Sequence, residues 1–155
     1  MAGYSSSVAI TRPANTTAYT AGDVVGATVA ALEFKQIGPA GRDVMINGST
    51  LRIDLSGVPA SMTSFTLHLY SVTPPSALAD NAAWDLPAGD RSAYLGSIAL
   101  GTPADVGSTL FIQATGLAKQ VKLATDSLFA YLVTAGGYTP TSAATAQITL
   151  NSSTL

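Results

Sequence analysis

Apolar and polar positions alternate with a period of two along much of this chain. Leu51, Ile53 and Leu55 share one face of a run whose other face carries Arg52 and Asp54. Phe65, Leu67 and Leu69 repeat the pattern, with Thr66, His68 and Tyr70 opposite. A period of two marks strands that lay one face on a core. Further runs predict strands at 95–100, in LFIQATG, KQVKLA and SLFAYLVTA, and in the closing AQITLN. The stretch VVGATVAALEF (24–34) reads as strand rather than helix, because it is short and holds Gly26. Asn47-Gly48 between two apolar runs predicts a hairpin turn, where both positions need positive φ. GTPADVG and Gly136-Gly137 read as turns or loops.

Eight or nine closely spaced strands, Gly/Pro punctuation and no long amphipathic helix predict an all-β fold. The expected architecture is an antiparallel β-sandwich, jelly-roll-like. Missing crossover helices exclude a parallel α/β sheet. One connection stands apart, TPPSALADNAAWDLPAGDRSAY, between the strand holding His68 and the strand beginning near Leu95. Its Asp residues and its lack of β-branched residues predict short helical turns.

The first 22 residues read as an arm with one strand. Val8, Ile10 and Arg12 alternate with small residues, and Pro13 ends the run. The arm has too few large apolar side chains to fold alone, so it packs on the body or reaches a neighbouring subunit. Residues 23–155 form the expected sandwich domain. Removing the arm is expected to leave that domain folded.

Composition narrows the function. Of 155 residues, 47% are hydrophobic, enough for a real core, while only 10% are charged, against about 25% in ordinary soluble domains. Ser, Thr, Ala and Gly fill the difference, which suits a surface covered by neighbours. The formal net charge is −2 and the nearest basic pair is Lys119 and Lys122, so no basic patch suits a phosphate backbone and nucleic acid is not an expected partner. Cys is absent, which removes disulfides and thiolate metal sites. MAGYSSSVAITRP lacks the charged and apolar regions of a signal peptide. No run approaches 18 apolar residues, so no helical membrane span is expected.

Candidate chemistry gathers in 64–100, which holds the only His and the only Trp. His68 has no second His for a metal site and no G-x-S-x-G nucleophile, so it reads as a polar-face or interface histidine. Asp80, Asn81, Asp85 and Asp90 resemble loose Ca²⁺ ligands without the spacing of a calcium loop, and capping explains them as well. No catalytic residue, cofactor or metal site is expected, and a hydrolytic enzyme is the weakest reading. Leu78, Trp84, Leu86 and Tyr94 give the connection an apolar content that suits a loop folded back to cap one end of the sandwich, or a contact surface.

Two blocks carry a resemblance. VAITRPANTTAYTAGDVVG and LHLYSVTPPSALADNAAWDLPAGDRSAYLGSI resemble segments of capsid cement, or decoration, proteins of tailed bacteriophages. They cover a third to a half of the chain. The resemblance implies a jelly-roll-like domain on the outer face of a virion shell, made in the host cytoplasm. It would bridge and stabilise major capsid protein subunits and associate with itself, as a dimer or a trimer. Contact residues would then come from the arm (Tyr4, Val8, Ile10, Arg12, Tyr19) and from the loop (Leu78, Trp84, Leu86, Tyr94). The alternative is a tail, fibre or adsorption module binding glycans through Tyr70, Trp84 or Tyr138.

Overall fold

A computed structural model describes residues 1–155. Nine strands form: β1 (Gly3–Thr11), β2 (Leu32–Phe34), β3 (Asp43–Ile53), β4 (Phe65–Tyr70), β5 (Tyr94–Gly101), β6 (Ala104–Asp105), β7 (Leu110–Lys122), β8 (Leu128–Thr134) and β9 (Thr145–Thr154). One 3-10 turn, Ala88–Asp90, is the only helical element and lies in the connection where helical turns are expected. Strands β1-β9-β3-β7-β6 make one antiparallel sheet and β2-β8-β4-β5 the other. Leaving aside the two-residue β6, the chain winds between sheets so that β1 neighbours β9, β3 neighbours β7, β2 neighbours β8 and β4 neighbours β5. That nesting of early strands against late ones is a jelly roll. The expected all-β sandwich is the observed fold.

The inner faces follow the period-two pattern. Val44, Ile46, Leu51 and Ile53 of β3 and Ile148 and Leu150 of β9 meet Phe65, Leu67 and Leu69 of β4 and Leu128, Ala130 and Leu132 of β8. Removing such a side chain, for example Leu67→Ala, costs about 2–5 kcal/mol by lost transfer energy and the cavity left behind.

Three local expectations are corrected. Asn47-Gly48 is no hairpin turn: β3 runs straight through it, paired on both sides, and the register against β7 and β9 shifts between Ile46 and Gly48. Inward positions change from even numbers (Val44, Ile46) to odd (Ser49, Leu51, Ile53), so one extra residue resets the phase, as a β-bulge does. Asn47 Nδ2 donates to Ser153 Oγ at 3.0 Å. LFIQATG and KQVKLA are likewise one strand, β7, with positive φ at Gly116 (64°) and Ala118 (47°) opposite the β3 bulge. In 24–34 only Leu32–Phe34 is strand. Val24 makes a single bridge to Val133, and the backbone turns so tightly that a Cβ on Gly26 would lie 2.8 Å from that of Ala30.

The segment read as an arm lies on the body. Strand β1 pairs with β9 along all nine residues, Gly3↔Ser153 to Thr11↔Thr145, and forms one edge of the larger sheet. Ile10 reaches the main core.

Candidate functional site

The connection between β4 and β5 lies on the outer face of the smaller sheet, not over one end of the sandwich. The outward residues of β4 and β8 explain why. Tyr70, Tyr131 and Val133 point away from the main core and are buried in a second cluster with Val24, Ala30 and Ala93. Leu78, Trp84, Leu86 and Tyr94 pack against that cluster, half-buried. The smaller sheet is thus covered on both faces, which the near-continuous apolar run LFAYLVT of β8 already suggests.

Polar tips of the aromatic rings are paired. Trp84 Nε1 donates to Tyr70 Oη at 3.0 Å, and the Leu78 amide donates to Tyr131 Oη at 2.9 Å. His68 stacks on Trp84, with ring centroids 3.7 Å apart and planes 17° apart. Its Nδ1 lies 2.9 Å from Tyr94 Oη. Burial lowers the His68 pKa to about 4, so the imidazole is neutral at pH 7. Burial pushes Tyr70 up to about 12 and raises Tyr94 as well. With only a phenol as partner, His68 has neither the nucleophile nor the orienting carboxylate that acyl transfer requires.

A second node ties the first 22 residues to the connection. Arg12 Nη2 lies 3.1 Å from Asp80 Oδ2, with both side chains about 95% buried. Tyr19 Oη donates to Asp80 Oδ1 at 2.5 Å and accepts from Arg12 Nε. The Gly26 amide donates to the same Oδ1 at 3.0 Å, and Arg12 Nη1 donates to the Thr141 carbonyl at 3.0 Å. The guanidinium stacks 5.0 Å from the Tyr19 ring. Burial, then the bond to Asp80, raises the Tyr19 pKa far above its usual value, so the phenol keeps its proton. Asn81 extends the node by donating to the Thr17 and Ala18 carbonyls, each at 3.1 Å.

The nine contact candidates therefore divide. Arg12 and Tyr19 are brought together with Asp80 and buried, and Ile10 is core. Leu78, Trp84, Leu86 and Tyr94 come together on the smaller sheet. Tyr4 and Val8 stay half-exposed on β1, away from both groups. Sequence reasoning missed the role of Asp80; the signal was an Arg on the apolar-phase side of the first strand, which calls for a buried acceptor. The other acids of the connection are not gathered into a metal cage. Asp90 accepts from the Ser76 amide at 3.1 Å and from its hydroxyl, and no three metal-ligating side chains converge.

No family model matches the chain, and no curated protein does. Solved structures similar to it include the capsid of Ralstonia phage GP4, at 15% identity over all of this chain and 87% of that one, with a TM-score of 0.46. The Cyanophage Pam1 capsid asymmetric unit follows at 13% identity over 97% and 83%, with a TM-score of 0.37. Infectious bursal disease virus, Gx strain, matches at 13% identity over 97% of this chain and 32% of that one, with a TM-score of 0.41. The structural neighbours thus include phage and viral capsid proteins. All three scores are below 0.5, and the strand order itself establishes the jelly roll.

Proposed function

We propose that this protein is a structural component of a tailed-phage virion, a cement protein that binds the outer surface of the assembled shell and bridges major capsid subunits. The observation that carries the reading is the outer face of the larger sheet. There Ser5, Ser7, Ala9 and Thr11 of β1 lie beside Gln147 and Thr149 of β9 and Thr50 of β3. The β1–β9 side of the face is a strip of small or neutral polar side chains on a rigid sheet, with Ser7 and Thr149 hydroxyls 2.7 Å apart, and it is bordered on β3 and β7 by Arg52 stacked over Phe111. Along that strip the side chains lose little entropy on contact and desolvate no charge. The two blocks that resemble cement proteins also meet in space, because Arg12 belongs to the first and Asp80 to the second. A cement protein acts by mass action, binding assembled shell more tightly than free subunits and so stabilising the assembly.

The test is occupancy on purified shells that lack the protein. Added protein is expected to saturate lattice positions in a cryo-EM map and to raise the temperature at which shells open. Density at the tail alone would replace this reading with adsorption. That alternative has less support from the geometry: Tyr70 and Tyr138 are buried, and Trp84 already has one ring face on His68.

A further inference from the structure

We infer that β1 is a self-pairing edge, through which two copies of this chain join their larger sheets by an antiparallel β1–β1 contact about a two-fold axis. The inference is independent of shell binding.

The larger sheet ends in β1, and no strand pairs with the outer side of β1. At its two ends the Thr154 amide donates to the Ala2 carbonyl and the Arg12 amide to the Ala144 carbonyl. Hydrogen-bonded pairs alternate in an antiparallel ladder, so the even-numbered residues of β1 bond to β9. Gly3, Ser5, Ser7, Ala9 and Thr11 therefore turn their amides and carbonyls outward, and no loop backbone or side chain bonds to them.

Every other edge of the sandwich is blunted. Strands β6 and β2 have two and three residues. Strand β5 carries positive-φ glycines at 96 and 101, with register shifts beside them. The uncovered length of β7 holds the Gly116–Ala118 irregularity together with Lys119 and Lys122. Proteins protect edges with short strands, bulges and lysines because a free edge recruits another strand. Strand β1 has none of these devices: GYSSSVAIT contains no charge and no proline, and its pairing with β9 is unbroken.

The sequence of β1 suits a second copy of itself. Centring the two-fold on Ser7 makes Ser7:Ser7, Ser5:Ala9 and Gly3:Thr11 the hydrogen-bonded pairs, and these are the residues with free backbone groups. Their side chains are small, and no like charges oppose one another, as they would in most self-paired strands. On the other side of the strand, the half-exposed Tyr4 and Val8 would gain cover from the second copy's Ile10 and Ser6.

The experiment measures oligomeric state by sedimentation of the full chain, wild type against Ala9→Pro. The Ala9 amide faces the free edge, a position where strand proline is tolerated. Wild type is expected to sediment as a dimer at tens of micromolar, as a rough working range. A9P is expected to be folded by circular dichroism with its dimer dissociation constant raised at least about tenfold. Ser7→Cys supplies the chain's only thiol. Under mild oxidation it is expected to give a covalent dimer, whereas Ser108→Cys, on the β6–β7 turn, is not. A wild-type monomer, a dimer unaffected by A9P, or equal cross-linking of both cysteine variants would overturn the inference.

Discussion

Arg12 and Asp80 form a buried ion pair across 68 residues of sequence, at 3.1 Å. A buried pair is costly to desolvate, and here four further donors or acceptors complete it: Tyr19, the Gly26 amide and the carbonyls of Asn15 and Thr141. Removing one partner strands the other. Arg12→Met is expected to lower unfolding stability by about 3–5 kcal/mol, and Asp80→Asn by a similar amount. The double variant should lose much less than the sum, read from urea denaturation as a double-mutant cycle. Additive losses would show that the pair is not coupled.

The same pair changes what truncation does. Deleting residues 1–20 removes Ile10, Arg12 and Tyr19 from buried positions and strips β9 of one neighbour. The expected outcome is loss of the cooperative unfolding transition, not the folded core that the composition of the arm suggests. A truncated chain that melts like the full one would refute this.

His68 supplies a pH signature. Its folded pKa of about 4 lies below the usual 6.5, so the unfolded chain binds the proton more readily. Stability from the neutral, stacked imidazole is complete above pH 6.5 and is lost as pH falls toward 4. It is the only histidine, so no other side chain with an ordinary pKa titrates between 6.5 and 5. His68→Phe should flatten the stability profile in that window. An unchanged slope would place His68 in water, not against Trp84.

Ser49 is the one buried side-chain oxygen without a hydrogen-bond partner, at 2% exposure. It faces the core directly after the β3 bulge. Ser49→Ala removes an unsatisfied hydroxyl and should leave stability unchanged or raise it by about 1 kcal/mol. A loss of that size would reveal a partner for the hydroxyl.

The core strands were legible because their alternation is local. Phe65, Leu67 and Leu69 show their face without knowledge of any other strand. The bulges were not: Asn47-Gly48 carries the chemistry of a hairpin turn, and only pairing with β7 and β9 on both sides keeps it extended. Three-dimensional proximity also decided the site. Trp84 and Leu78 announced a loop that buries itself, but its landing place on Tyr70 and Tyr131 depends on which sheet face lies bare. Asp80 looked like a cap or a calcium ligand because its partner, Arg12, is remote in sequence.

The smaller sheet has its second side taken by the chain's own connection, so the sandwich offers a visitor one broad sheet face instead of two. Orientation on any scaffold is thereby encoded in a single chain. Whatever meets the Ser/Thr strip of β1 and β9 leaves the aromatic side, with Trp84 and Tyr94, turned away.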